Sequence, residues 1–167
     1  RFLGDLASDN AWTVPVAAPS GKRVLIVGAG PAGLSCAWQL ARRGHAVEIR
    51  DQNPNPGGMM AYGIPEYRLP RTDLQREIAH ITALPGVTLR CGERVDDVAR
   101  ARREGGFDAA FVAVGAQLSN HLDIPAVDGR RIVDAVGLLD QVRRDERPSL
   151  GRVVVVVGGG NTAMDAA

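Results

Sequence analysis

Two glycine-rich turns carry the residue types and the spacing that could do chemistry in this chain. Gly28, Gly30 and Gly33 form a complete G-x-G-x-x-G, and Gly158–Ala163 repeats it with alanine in the last place. Each turn follows an apolar run typical of a buried strand and precedes a predicted helix, whose free N–H groups and dipole attract a pyrophosphate. Two such turns indicate two dinucleotides held close together, as hydride transfer between cofactors requires.

Three further residues lie where a first nucleotide would be bound. Asp51 lies about 18 residues past Gly33, close to the ~20-residue offset at which a carboxylate reaches the ribose hydroxyls. Glu48 is the competing acid, but it lies inside the predicted strand, so Asp51 is preferred. Gly115 ends another apolar run, and its missing Cβ permits a close backbone approach to a cofactor. Arg68 either faces a phosphate or a flavin carbonyl, or is an ordinary surface arginine.

The elements that position these residues predict an α/β fold with a parallel sheet. Residues 51–71 show neither helical nor strand periodicity, yet they are too apolar for disorder, so we expect a loop packed against something. The apolar run 108–114 is expected to be a buried strand. Predicted strands cover 23–27, 46–50, 87–91, 108–114 and 153–157, and predicted helices cover 31–43, 72–84, 96–104 and 134–144.

Composition narrows the function classes. With 20 basic and 19 acidic residues, the net charge of +1 gives no electrostatic case for nucleic acid or an anionic membrane. No apolar run approaches the ~20 residues of a membrane span. Cys36 and Cys91 form no CxxC and predict no disulfide framework, which indicates a reducing, cytoplasmic compartment. The three histidines have no metal-ligand spacing, so no metal site is expected.

The run GGMMAYGIPEYRLPR at 57–71 closely resembles one flavoprotein family, the small (beta) subunit of NADPH-dependent glutamate synthase and its relatives. These relatives are FAD-dependent pyridine nucleotide oxidoreductases, and they include the flavin portion of dihydropyrimidine dehydrogenase and the large subunit of an electron-bifurcating transhydrogenase. The segments GAGPAGLSCA, FDAAFVAVGAQ and VVVVVGGGNTAMDAA extend the resemblance over essentially the whole chain.

The resemblance implies a domain organisation and a set of cofactor contacts. Residues 1–20 would be a lead-in that ends an upstream iron–sulfur domain, 21–150 the first segment of a Rossmann-like FAD-binding domain, and 151–167 the truncated start of an NAD(P)H-binding Rossmann domain. Asp51 would hold the ribose of FAD, although the family often has glutamate there. The other implied FAD contacts are Gly30, Pro31, Ala32, Gly33 and Leu34 at the pyrophosphate, Gly58, Met59 and Arg68 at the flavin, and Val95 near the adenine; the implied NADPH contacts are Gly159, Gly160, Asn161 and Thr162.

The function implied by this resemblance is hydride transfer from NADPH to FAD, with electrons passing on to 4Fe-4S clusters, expected only upstream, or to a larger partner subunit. Cofactors carry such chemistry, so no catalytic side chain is expected in this span. Two alternatives remain open, a thioredoxin-reductase-like disulfide reductase and a non-catalytic flavin-binding electron-relay subunit. The chain begins with Arg1 and stops at Ala167 inside a predicted helix, so we expect a fragment that is inactive alone.

Overall fold

The computed structural model describes residues 14–116, 125 and 132–167, so the predicted lead-in over 1–13 lies outside the described residues. Its centre is a four-stranded parallel sheet in the order β3-β2-β1-β4, which confirms the predicted α/β fold. The strands are β1 (Arg23–Val27), β2 (Ala46–Asp51), β3 (Val87–Cys91) and β4 (Ala109–Val112).

Six helices are described around this sheet. The first begins at a proline, which fits a helix start because its missing N–H would have no intrahelical partner there. It ends before Gly44, whose φ of +80° suits the residue that follows a helix. The helices are α1 (Pro31–Arg42), α2 (Met59–Tyr62), α3 (Arg71–Thr82), α4 (Val98–Glu104), α5 (Ala135–Arg143) and α6 (Asn161–Ala166).

The core lies on both faces of β1, as a parallel sheet requires. Ile26 is fully buried with Ile49 against α1 and α3 on one face. Leu25 is fully buried on the other face, where Phe107 and α4 cover it. This packing fixes the carboxyl ends of the strands, and the loops that follow them, in one rigid edge.

Two predictions about apolar strands are wrong. The valines at 153–157 form no strand, and Val153 and Val155 are 86% and 80% exposed. A strand needs a neighbour to take its backbone hydrogen bonds, and no described strand lies beside this segment. The run 108–114 yields the shorter β4, whose Phe111 and Val112 stay 41% and 55% exposed because β4 is an edge strand of the described sheet.

Candidate functional site: a cleft at the carboxyl edge of the sheet

A cleft of about 590 Å³ opens at the carboxyl ends of β1, β2 and β4. The chain runs from β1 to β2 on one side and places β4 on the other, so the cleft lies where the strand order reverses. Open parallel sheets bind ligands at such a point. The predicted site residues that line it are Gly28, Gly30, Pro31, Ala32, Asp51, Gly58, Met59, Val95 and Gly115.

The turn after β1 requires glycine at its first and last positions. Gly28 has a φ of +107°, and a Cβ there would overlap the carbonyl oxygen of Ala113 beyond β4. A Cβ on Gly33 would overlap the carbonyl oxygen of Gly28 and lie 3.2 Å from Cγ2 of Ile26. The two glycines therefore let the turn lie against β4 and let α1 lie against the sheet.

The middle glycine of the turn packs against a second glycine in the wall of the cleft. Gly58 has a φ of +54°, and a Cβ on it would lie 2.8 Å from Cα of Gly30. A Cβ on Gly30 would lie 3.8 Å from Cα of Gly58. Backbone therefore packs against backbone here, and the two glycines form a stretch of the cleft wall without side chains, which we call the cradle. Such a bare wall at the start of a helix lets a pyrophosphate approach the backbone N–H groups.

Asp51 is buried at the end of β2, and both of its carboxylate oxygens accept backbone hydrogen bonds. Oδ2 accepts from the N–H of Ala29 at 2.7 Å, and Oδ1 accepts from the N–H of Asn53 at 2.8 Å. Each carboxylate oxygen has a second acceptor site, so either can still accept from a ligand hydroxyl. Asp51 thus ties the glycine turn to β2 and keeps acceptor capacity towards the cleft.

The arginines at the mouth of the cleft are paired with acids. Arg50 donates from Nη2 to Glu48 at 2.7 Å and lies 3.6 Å from Glu93, and Arg94 lies 2.7 Å from Asp96. Their charge is compensated locally, so the cleft does not depend on a free cation. The positive end of α1 and the turn's N–H groups are therefore its main attraction for an anion.

Some predicted site residues lie outside the cleft lining. Gly33 and Leu34 are buried in α1 beneath it, where Leu34 joins the core. Arg68 lies in the loop between α2 and α3, and its Nε is 2.6 Å from a carboxylate oxygen of Asp165 in α6. The structure therefore brings Arg68 to the second turn's helix.

The second glycine turn repeats the backbone of the first. Gly158 has a φ of +137°, as Gly28 has +107°. Gly160 precedes α6 with φ −84° and ψ 174°, as Gly30 precedes α1 with φ −78° and ψ −176°. The other predicted contacts, Gly159, Asn161 and Thr162, are exposed around this turn.

Sequence reasoning missed two residues that hold segments around the cleft together through hydrogen bonds. Ala29 donates its N–H to Asp51 and accepts from the N–H of Gly57 at 2.8 Å, so it joins three segments of the site. Arg143 of α5 is buried and donates from Nε to the carbonyl oxygen of Ala61 at 2.9 Å. Ala29 occupies a position of the glycine motif where any residue is allowed, and Arg143 belongs to no motif, so neither could be identified from the sequence.

The two cysteine thiols are poor candidates for a reactive centre. Burial raises the pKa of Cys36, and burial followed by the charge of Asp51 raises the pKa of Cys91. Both thiols are free and disfavoured as thiolates, which makes them poor nucleophiles. Among the described residues, no cluster of three metal-ligating side chains occurs, and no helix is long and apolar enough to cross a membrane.

A family model described as pyridine nucleotide-disulphide oxidoreductase matches residues 22–167. The NADP(+)-dependent formate dehydrogenase subunit beta of Moorella thermoacetica is 48% identical over 155 residues, which is 90% of this chain and 22% of that protein. The NADPH-Fe(3+) oxidoreductase subunit beta of Geobacter sulfurreducens is 41% identical, over 95% of this chain and 25% of that protein. The glutamate synthase [NADPH] small chain of Mycobacterium tuberculosis is 32% identical, over 96% of this chain and 36% of that protein.

Solved structures share the fold. A 2-naphthoyl-CoA reductase matches with a TM-score of 0.70 and 26% identity over 95% of this chain and 23% of that chain. FprA of Mycobacterium tuberculosis in complex with NADPH matches with a TM-score of 0.63 and 23% identity, over 72% of this chain and 28% of the FprA chain. The chain spans 22% to 36% of the length of the three relatives above.

Proposed function

Because this chain belongs to the pyridine nucleotide-disulphide oxidoreductase family, as its resemblance to glutamate synthase small chains predicted, we propose that its cleft binds FAD and its second glycine turn binds NADPH. The protein would be a cytoplasmic oxidoreductase subunit, since two free cysteines fit a reducing compartment. When bound, the cofactors supply the redox chemistry, in which NADPH gives a hydride to FAD and electrons pass to iron–sulfur clusters or a partner subunit. Three relatives named as subunits support a partner.

The observation that carries this proposal is the cradle that Gly30 and Gly58 form in the cleft wall, with Asp51 in the same lining. The N–H groups of Gly30, Ala32 and Gly33 would bind the pyrophosphate, and Pro31, which has no N–H, would contact it through its ring. Asp51 would use its remaining acceptor sites for the ribose hydroxyls. Met59, next to Gly58 in the lining, would cover the flavin end and keep water from it.

The opposite side of the cleft supplies the other contacts. Val95 packs towards the core cluster of Leu25 and presents an apolar wall that suits an adenine ring. Gly115 follows β4 with a φ of +71° and leaves the wall there free of a side chain. At the second turn, residues 159–162 would bind the NADPH pyrophosphate as their counterparts after β1 bind that of FAD.

The proposed domain arrangement follows the two turns. Residues 21–150 contain the sheet and the cleft, so they form the first segment of the FAD domain. Residues 151–167 contain the second turn and α6, so they begin the NAD(P)H domain. The preceding residues 1–20 would connect to the iron–sulfur clusters.

The test is anaerobic titration of the purified holoprotein with NADPH and, separately, with NADH. We expect copurified FAD whose absorbance bleaches with NADPH. The variant Gly30→Val should lose FAD because its side chain fills the cradle, whereas Gly21→Ala, at a turn with no neighbour within 4 Å, should retain it. Protein that retains no FAD would refute the proposal. Bound FAD that NADPH does not bleach would favour the electron-relay alternative, and reduction of an added disulfide would favour the disulfide reductase.

A further inference from the structure

The loop between α2 and α3 contacts the helix that follows the second glycine turn. Nε of Arg68 lies 2.6 Å from Oδ1 of Asp165, and the hydroxyl of Tyr67 donates to the same oxygen at 3.2 Å. The Asp165 side chain is 8% exposed, whereas that of Arg68 is 44% exposed. A buried carboxylate needs such partners, since an unpaired buried charge is strongly destabilising. Two neighbouring residues of one loop therefore bind the same carboxylate oxygen of α6.

The segment just before this loop lines the proposed flavin side of the cleft. Gly58 and Met59 line the cleft at the start of α2, and the chain reaches Arg68 within ten residues. Asp165 lies in the short helix that Gly160 begins. The ion pair therefore joins the wall of the first nucleotide site to the helix of the second.

A second contact runs between the same two places. Helix α6 packs against α5, and α5 packs against α2. Arg143 of α5 donates to the Ala61 carbonyl at the end of α2, and burial lowers the pKa of its guanidinium. This route is built of packed helices and the hydrogen bonds of Arg143 to the Met60 and Ala61 carbonyls. The Arg68 pair, by contrast, joins the loop directly to α6, and its removal can be tested alone.

We infer that Arg68 is a positioning residue that acts through Asp165 and sets the second dinucleotide turn against the loop between α2 and α3, next to the cleft. The inference rests on the proposed function, because the role of this ion pair would be to bring bound NADPH close to FAD. Arg68 makes this ion pair through Nε, so it reaches α6 and not the lining of the cleft.

The experiment uses the flavin-loaded protein and the variants Arg68→Ala, Asp165→Asn, their combination and Arg68→Lys. Two readouts are taken, hydrogen exchange of the amides in 158–166 and the rate of flavin reduction at saturating NADPH. We expect each single variant to raise the exchange and to slow the reduction by roughly 10-fold, and the combined variant to be no worse than either, because contacting residues are non-additive. Arg68→Lys should keep exchange and the reduction rate close to their wild-type values, since lysine keeps the positive charge.

The control is Lys22→Ala, which removes another ion pair, 2.9 Å long to Asp108, at the amino end of β1. It should change neither readout. The inference is overturned if the effects of Arg68→Ala and Asp165→Asn add in the combined variant. It is also overturned if Arg68→Ala releases flavin while Asp165→Asn changes nothing, since Arg68 would then act only as a flavin ligand.

The two proposals fail in different ways. If NADPH bleaches the wild-type flavin but exchange in 158–166 is the same in every variant, the positioning role fails and the proposed function stands. If NADPH does not bleach the wild-type flavin, the proposed function fails and the role in hydride transfer fails with it. The isosteric Asp165→Asn keeps an oxygen for Tyr67, so it is the variant expected to fold with the least disturbance.

Discussion

Replacing Asp51 by asparagine removes its negative charge while keeping its shape. Both carboxylate oxygens accept backbone N–H groups, from Ala29 at 2.7 Å and from Asn53 at 2.8 Å. An asparagine amide has only one acceptor oxygen. Its NH₂ must therefore face one of these two N–H donors, and that donor loses its partner in a buried position.

The cost follows from this geometry. A hydrogen bond to a charged group contributes about 1.5–3 kcal/mol, and a buried donor left unpaired costs about 1–3 kcal/mol. These two figures describe the same loss, so we expect Asp51→Asn to lower the free energy of unfolding by about 2–3 kcal/mol. FAD affinity should fall by roughly 10-fold to 100-fold, since each 1.4 kcal/mol is tenfold and the ribose loses a charged acceptor.

The assay is urea unfolding of the flavin-free protein followed by FAD titration of the folded variant. The m-value should stay constant, because the change lies in stability and not in the surface exposed. Asp108→Asn is the matched control, since Asp108 also accepts a backbone N–H, from Arg23 at 2.9 Å, but its side chain is 41% exposed. Water can replace the hydrogen bond that Asp108→Asn removes, so this substitution should lower the free energy of unfolding much less. Equal effects of the two substitutions, or unchanged FAD affinity in Asp51→Asn, would refute this reasoning.

The remaining predictions concern FAD binding at the cradle and the loss of protein stability at low pH. Gly58→Ala places a Cβ against Gly30 at a φ of +54°, so it should cost roughly 1–3 kcal/mol of strain and weaken FAD binding about 10-fold. Ultrafiltration measures the bound FAD. The control Gly21→Ala, at a φ of +73° in open space, should not alter FAD binding. The backbone N–H of Arg23, and then Lys22, lower the pKa of Asp108 below its ordinary 3.8, so its contribution to stability is complete above that pH and is lost as pH falls through the lowered pKa. Thermal melts should therefore show a shallower loss of stability below pH 3.8 for Asp108→Asn than for the wild type.

The sheet and the first turn could be predicted because their signals are local. Strand β1 is a short apolar run, Pro31 marks the start of α1, and the glycine spacing defines the turn between them. The ribose contact of Asp51 rests on its offset from Gly33 and its place at the end of a strand, and it stays a prediction. Its bond to Ala29 was not predicted, because Ala29 lies in the turn after β1 and only the folded sheet brings it beside the end of β2.

Other features depended on neighbours that a sequence pattern does not contain. Helix α2 is four residues long, which is about one turn and too short for a helical period to appear. The valines at 153–157 have the composition of a strand, yet a strand exists only where another supplies hydrogen bonds. The pairing of Arg68 with Asp165 links residues 97 positions apart, so the loop sequence could only present Arg68 as a ligand or a surface residue.

The five exposed valines also have a consequence for the behaviour of the polypeptide in solution. They are β-branched, uncharged and free of proline, and this composition is that of segments which stack into cross-β assemblies when no native partner covers them. Arg152 precedes the run and can act as a charged gatekeeper on one side, but Gly158 follows it without a charge. Any preparation that leaves this run uncovered should therefore self-associate through it, and a lysine at Val155 should keep such a preparation monodisperse.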